Sequence, residues 1–262
     1  MTIIITGSSA GIGFALAEYF GKKGHQVFGL SRKAVNSEYF TTLPTDITDN
    51  NQIVQAVSEI LKTEKRIDVL INNAGMGMVG AVEDSMQDEI LKLFNLNLVG
   101  SVQMMSAVLP TMRNQKGGKI INISSIGSEM GLPFRGFYSA SKSALDKVTE
   151  AMRYEISPWN VNVCSLHLGD IKTKIAENRV KTNVSEPYKK SFEKVYALMN
   201  SHVDEGADPL EVAEYIEKLL AKKSWKAHYY FGKFGQKIGV PLKWMLPQNF
   251  YEKLMKRYSQ MD

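Results

Sequence analysis

A doubly wound α/β fold, built as a parallel sheet with helices on both faces, is the fold class this chain predicts. Three observations carry that prediction. Apolar, β-rich runs alternate with helical patterns from the first residue to about position 232. The strand runs are near-continuous Val, Ile and Leu, as parallel strands covered on both faces require. A glycine-rich turn follows the first such run and opens the first helical pattern. With 262 residues, 44% of them hydrophobic, one large domain is favoured over two small ones.

Taken in order, Thr2-Ile3-Ile4-Ile5-Thr6 reads as a buried strand, and the helical pattern at 11–23 follows it after the glycine turn. A second strand is predicted at 26–30. Only about fourteen residues then separate Arg32 from Asp46, with a weak strand near 42–45, so a full helix is not expected there. Helix 49–64, strand 67–71, a long helical pattern at 86–113, strand 118–123, helix 139–157 and strand 161–167 continue the alternation. Helix 209–222 and strand 227–231 complete it, while the polar, helix-prone stretch 174–206 is placed as a mobile lid over the substrate. Crossovers of this length are right-handed, which winds the strands into a Rossmann-type layer.

Composition narrows the setting. No apolar run approaches the length of a transmembrane helix, and a chain whose residues 2–5 already form a strand carries no secretory signal there. The single cysteine, Cys164, sits in the alternating run Val161–Leu166 and reads as core. A reducing, cytoplasmic location suits these features. The four histidines are scattered along the chain and match no zinc spacing, so no metal is assigned.

The opening turn, Thr6-Gly7-Ser8-Ser9-Ala10-Gly11-Ile12-Gly13, uses glycine where side chains would obstruct. Gly7 permits the tight turn, Gly11 the approach of backbone to a phosphate, and Gly13 the packing of helix on strand. A dinucleotide pyrophosphate placed there would meet free N–H groups and the positive end of the helix dipole. The cofactor set therefore starts with Gly7, Ser9, Gly11, Ile12 and Gly13.

A second group can move a proton. Tyr138 and Lys142 stand four residues apart on a helical pattern, thirteen and seventeen residues after Ser125, which ends a strand. Two further Tyr-x-x-x-Lys copies, Tyr19/Lys23 and Tyr229/Lys233, lack such a serine and read as exposed helix faces. Reducing a ketone requires hydride at carbon and a proton at oxygen. A tyrosine can donate that proton, a lysine one turn away should lower its pKa, and a serine hydroxyl can fix the carbonyl oxygen.

These motifs resemble the short-chain dehydrogenase/reductase family, single-domain type, over about residues 2–232. Thr6-Gly7-x-x-x-Gly11-Ile12-Gly13, Asp46, Asn72-Asn73-Ala74-Gly75, Asn97, Ser125 and Tyr138-x-Ala140-Ser141-Lys142 all stand in the family's order. The resemblance implies a nicotinamide dinucleotide cofactor and a catalytic set of Asn97, Ser125, Tyr138 and Lys142. Asn97 would hold a water linking Lys142 to solvent. Asp46, with Ile47 beside it, would contact the adenine end. Asn73, Ala74 and Gly75 would line the crevice, where Tyr138 and Lys142 also meet the cofactor. A homodimer or homotetramer paired through helices 86–113 and 139–157 is the implied assembly.

NADP(H) is the expected cofactor. NAD-specific sites carry an acid at the end of the second strand, whereas this chain has Leu30-Ser31-Arg32-Lys33. Ser31 and Arg32 would hold a 2′-phosphate that a carboxylate would repel. One departure from the family lies after His167, where Leu168-Gly169-Asp170-Ile171-Lys172-Thr173 replaces a usual Pro-Gly. Ile171 and Thr173 stand where the nicotinamide carboxamide would be held, on a turn expected to be less rigid without the proline. His167 is placed beside the site, within reach of substrate.

Met76, Met78 and Met130–Phe134 suggest an apolar, adaptable pocket. The segment Ile126–Phe134 resembles its counterpart in hydroxysteroid and retinol dehydrogenases. A small-molecule ketone, aldehyde or alcohol of apolar or lipid-like character is therefore the expected substrate. From residue 222 onward nine basic side chains face two acidic ones, a local excess of +7 in a chain of +5. Residues 233–262 are thus read as a basic, aromatic extension to the 1–232 catalytic domain. It is expected to fold against that domain, helping to close the pocket and burying Trp244, Leu246 and Phe250. Contact with a membrane surface is the alternative for this segment, and no nucleic-acid partner is expected. A non-catalytic NADP(H)-binding regulator is the alternative function, against which stands the filling of all four catalytic positions.

Overall fold

The computed structural model describes residues 1–173 and 179–261. Its seven-stranded sheet is parallel throughout. In chain order the elements open with β1 (Thr2–Thr6), α1 (Gly11–Lys22), β2 (Gln26–Ser31), β3 (Thr41–Pro44), α2 (Asn50–Thr63) and β4 (Val69–Asn72). They continue through β5 (Met78–Val79), α3 (Gln87–Phe94), a π-helical turn (Asn95–Gly100), α4 (Ser101–Asn114), β6 (Gly118–Ser125) and α5 (Gly136–Glu155). The remainder comprises β7 (Val161–Leu168), β8 (Val180–Lys181), α6 (Glu186–Asp204), α7 (Pro209–Leu220), β9 (His228–Phe231), α8 (Phe234–Met245) and α9 (Gln248–Tyr258). The sheet order is β3-β2-β1-β4-β6-β7-β9, and β5 and β8 pair separately.

That order reverses direction between β1 and β4, which opens a crevice at the carboxyl ends of the strands. The β1 run Thr2–Thr6 is buried at every position, as its unbroken Ile triplet requires. Two cores result, one per face. Ile3, Ile5, Leu16, Phe20, Cys164 and Ile216 lie in one, and Ile4, Ile53, Leu70, Met104, Leu145 and Val163 in the other. Cys164 is fully buried, and burial pushes its thiol up, so it packs as an inert apolar side chain. No helix separates β2 from β3, in line with the short connection.

Helix 87–114 is continuous through its π turn and 28 residues long, enough by length and composition to cross a membrane. The pattern expected at 86–113 has the same length; no membrane-spanning run was expected in it because Asn95, Asn97 and Ser101 interrupt the apolar sequence. Leu93, Asn97, Met104, Met105, Val108 and Met112 on this helix are buried in the protein's own core. Tyr229 lies on β9 and is buried, so the Tyr229/Lys233 copy is not an exposed helix face. Tyr19 and Lys23 do stand on the surface side of α1, both bonded to Glu217 of α7.

The extension packs on the sheet domain through one side of each helix. Val240 joins Ile126 and Met130 in a small cluster, and Tyr251 Oη donates to Met130 Sδ at 3.2 Å. Trp244 and Phe250 are not packed: they are 76% and 58% exposed. The inward stripe of α8 is taken by Gln236, Val240 and Lys243, so Trp244 points elsewhere. Leu246 is half-buried.

Candidate active site

Every site residue expected from sequence in the glycine turn sits at the carboxyl end of β1. Gly7 and Gly11 adopt left-handed backbone, φ 69° and 56°, which only glycine takes without strain. A Cβ on Gly7 would lie 2.8 Å from Ala74 Cα, and one on Gly13 would collide with the Gly7 carbonyl and the Asn73 amide. Thr6 couples the two halves of the crevice, its Oγ1 accepting from the N–H groups of Asn73 and Ala74 at 3.0 Å each. Asn73 Nδ2 returns a hydrogen bond to the Thr6 carbonyl at 3.0 Å. No side chain caps α1 at Ala10, so its leading N–H groups are left for an anion. A dinucleotide fits this cradle: space is cleared by glycine, and Ala10 offers the helix end no capping side chain.

At the neighbouring strand end, Ser31 is buried and its hydroxyl donates to the Lys33 carbonyl at 2.7 Å, which fixes the turn that displays Arg32 and Lys33 to solvent. Asp46 is tied into its own turn, accepting from Thr48 N at 2.9 Å and Thr48 Oγ1 at 2.7 Å. Burial works to raise its carboxyl, but the Thr48 hydrogen bonds and the Arg32 guanidinium outweigh it and hold it below its ordinary value. Ile47 is buried under Gly100, where a Cβ would meet the Ile47 carbonyl at 2.7 Å.

The proton-handling residues come from three elements. Ser125 ends β6, and its Oγ accepts from Gly127 N at 3.0 Å. Tyr138 and Lys142 lie one turn apart on α5. That helix sits close to the sheet because its inner face is small and polar: Ser139, Ser141, Lys142, Asp146 and Thr149 are all buried. A polar ladder locks it down, Asn72 Nδ2 donating to Asn122 Oδ1 at 2.9 Å and Asn122 Nδ2 to Thr149 Oγ1 at 2.8 Å. Lys142 Nζ donates to the Ile123 carbonyl at 2.8 Å. Asn97, in the π turn, and Lys142 converge on Gly75, where a Cβ would stand 3.2 Å from Asn97 Oδ1 and 3.4 Å from Lys142 Nζ.

The electrostatics differ from the simple sequence expectation. Burial pushes the Tyr138 phenol up; the Ser125 hydroxyl and the Arg135 and Arg179 guanidiniums oppose the rise without cancelling it. Burial also brings the Lys142 ammonium down to about 8, partly offset by Asp146. Arg135 and Arg179 escaped the sequence reading. The first precedes Tyr138 by three residues at the head of α5, the one signal that could have marked it. Arg179 reaches the site from the segment before β8 and is held by Asn200 Oδ1 at 2.8 Å.

Two further expectations change. His167 does not face substrate: it is fully buried behind Ser125, with Nδ1 3.1 Å from Ser128 Oγ and 3.2 Å from the Ser125 carbonyl. Its Nε2 lies 2.9 Å from His228 Nδ1, and His228 Nε2 lies 3.0 Å from Glu150 Oε1. Glu129, His167 and His228 have ligand atoms within 4.8 Å of one another, so two of the four histidines, distant in sequence, meet in space. The imidazole nitrogens are in hydrogen-bond contact, closer than the roughly 3.3 Å of two nitrogens on one tetrahedral ion. Burial lowers the His167 pKa, which keeps the ring neutral.

The turn after β7 is tied by bonds to β9, to Ala207 ahead of α7 and to α8. Leu168 is a strand residue paired with Ser125 and Phe231. Gly169 N donates to the Phe231 carbonyl at 2.7 Å, Lys172 N and Ala207 N bond across Ile171 at 2.9 and 3.0 Å, and Gln236 Nε2 donates to Asp170. These bonds hold the turn in place without the proline. Ile171 is buried, and the Thr173 side chain lies 3.5 Å from a Cβ on Gly11, closing the crevice. Of the expected lid, 174–178 lie outside the described residues. The rest forms β8 and α6, and Phe192, Val195, Met199 and Val203 bury its inner face. Leu132, Pro133, Arg135, Val195, Met199 and Tyr258 line a cavity between lid, α5 and extension.

Comparison with known proteins agrees with this geometry. A family profile described as short chain dehydrogenase matches residues 1–184. The chain is 39% identical over 254 residues to a 3-ketodihydrosphingosine reductase of Bacteroides thetaiotaomicron, covering 95% of this chain and 94% of that one. Among solved structures, a short-chain dehydrogenase from Streptomyces avermitilis superposes with a TM-score of 0.84 at 25% identity, over 100% of this chain and 98% of the other. ElxO with NADP bound is 26% identical with a TM-score of 0.72, over 87% and 94% of the two chains.

Proposed function

This chain belongs to the short-chain dehydrogenase/reductase family of oxidoreductases, and we propose that it is an NADP(H)-dependent enzyme interconverting a lipid-like ketone or aldehyde and its alcohol. The observation that carries the reading is that Tyr138 is hydrogen-bonded to Ser125 while Lys142, one turn on, meets Asn97 beside Gly75, next to a glycine cradle suited to a dinucleotide. When bound, the nicotinamide supplies the hydride.

The protein's own groups manage the oxygen. In the direction of reduction, Ser125 Oγ donates to the substrate carbonyl oxygen and fixes it beside the Tyr138 phenol, which passes its proton to that oxygen. The phenolate left on Tyr138 would be costly in a buried site. Lys142, with a pKa near 8, is poised to return a proton at neutral pH. Asn97 holds the wall against which that exchange with solvent takes place. Gly7, Ser9, Gly11, Ile12 and Gly13 receive the pyrophosphate, Arg32 the 2′-phosphate from the turn that Ser31 fixes, and Asp46 and Ile47 the adenine. Asn73, Ala74, Gly75, Ile171 and Thr173 border the nicotinamide half.

NADP(H) is preferred because Arg32 and Lys33 are exposed at the end of β2 with no carboxylate taking the place of a ribose-binding acid. The similarity to a 3-ketodihydrosphingosine reductase supports a lipid-like substrate. Leu91 and Val99 on the 87–114 helix and Tyr154 on α5 face outward, which suits a homodimer or homotetramer paired there. A cytoplasmic setting is part of the same reading. The test is cofactor oxidation with NADPH and with NADH against ketones and aldehydes of increasing chain length. Faster NADPH consumption with longer substrates supports the proposal, and no consumption with any carbonyl sinks it.

A further inference from the structure

The extension's outward surface is apolar where a monomer's surface should be polar. On α8 the side chains at 236, 240 and 243 turn inward: Gln236 bonds Asp170, Val240 packs on Met130, and Lys243 Nζ reaches the Glu129 carbonyl at 2.5 Å. The opposite stripe, at 234, 238, 241 and 245, is one helical face by spacing. It carries Phe234, Ile238, Pro241 and Met245, with Trp244 at its flank. Phe234 and Met245 are 76% and 78% exposed, in the same class as Trp244. On α9, Phe250 and Leu254 share an exposed strip with Lys253 and Arg257, while Tyr251 and Met255 face the protein.

This is an apolar face on a helix whose opposite side is already used for packing. A patch of this kind marks a surface meant to be covered. Its charge indicates by what. From Lys233 onward the extension has six basic residues and only Glu252 and Asp262 as acids. A second copy of this chain docked here about a two-fold axis would set those lysines against themselves. An anionic surface would satisfy them, and aromatic side chains with flanking lysines are what settles at the boundary of lipid headgroups and acyl chains.

We propose that the outward face of α8, with the adjoining strip of α9, docks the protein on an anionic lipid surface through Phe234, Ile238, Trp244 and Met245. The contact lies on the outer side of elements whose inner side reaches Glu129 and Met130, in the segment leading to Tyr138. A membrane-bound enzyme could thus receive an amphiphile without releasing it into water. Docking itself does not depend on the reaction proposed above and can be tested without cofactor.

The full-length protein is floated with phosphatidylcholine vesicles, with and without phosphatidylglycerol. Co-flotation is expected only with phosphatidylglycerol, weaker in high salt, together with a blue shift of Trp244 emission. The variant Phe234→Ser/Trp244→Ser/Met245→Ser changes exposed positions only. It should keep its melting temperature yet partition at least roughly tenfold more weakly, from the apolar area lost to the lipid. Three outcomes would overturn the proposal: no flotation with either vesicle, flotation unchanged in the triple variant, or a lipid-free oligomer that shields Trp244.

Discussion

Asn97 and Met76 form a reciprocal pair: Asn97 Oδ1 accepts from Met76 N at 2.8 Å, and Asn97 Nδ2 donates to the Met76 carbonyl at 3.0 Å. A third bond, Asn97 Nδ2 to Ser141 Oγ at 3.1 Å, ties the π turn to α5. The side chain is therefore fully engaged in holding the crevice wall against the helix that bears Tyr138 and Lys142. A water between Lys142 and solvent would have to be held by main-chain carbonyls of the π turn, whose widened spacing upsets the regular i to i−4 pairing.

Asn97→Ala strands the Met76 N–H and carbonyl together with Ser141. A loss of about 2 kcal/mol in folding stability is expected for these buried groups, measured by urea unfolding. Turnover should fall as well, because α5 loses its brace. A variant as stable and as active as wild type would remove Asn97 from the account.

Arg32→Asp puts a carboxylate where the 2′-phosphate is placed. NADPH affinity should drop by roughly tenfold to a hundredfold, the worth of a charge-assisted hydrogen bond, while NADH affinity changes little. Because Arg32 is exposed, wild-type NADPH binding should also weaken with salt. Calorimetric titration checks both. Equal wild-type affinity for NADH and NADPH would refute the cofactor assignment.

Lys142 sets a pH dependence. Its folded pKa of about 8 lies below the ordinary 10.5, so the unfolded chain binds more protons between those values. Stability should rise with pH across that window, and the cost of the buried ammonium is present in full below it. Lys142→Met should flatten the rise in unfolding free energy. For catalysis, kcat/KM of reduction should fall above about pH 8 as the ammonium is lost. A flat profile to pH 10 would exclude Lys142 from proton return.

What was legible in the sequence was whatever depends on local period or on closely spaced motifs. The Ile3-Ile4-Ile5 run could only be a strand buried on two faces. The glycines at 7, 11 and 13 announced a backbone that side chains would block. Tyr138 and Lys142 declared their shared face by a four-residue spacing. Contacts across long separations were not legible. His167 meets His228 over 61 residues, through adjacent strands β7 and β9, and no local pattern announces that pairing. The α8 pattern misled for a different reason: it carries apolar residues on two sides, and periodicity alone does not say which side the protein covers. Val240 went inward and Trp244 did not. The missing proline at Leu168 was visible, but its replacement by bonds from Phe231 and Ala207 was not.

Proton donation by Tyr138 is the central claim, and Tyr138→Phe tests it most directly because the ring is kept and only the hydroxyl is lost. Steady-state NADPH oxidation is measured for both proteins with a long-chain ketone that wild type reduces, alongside calorimetric NADPH binding. The account predicts that turnover falls by at least about a hundredfold, the share a positioned acid supplies, while NADPH binding is unchanged. Comparable turnover in Tyr138→Phe, with NADPH still bound, would contradict it.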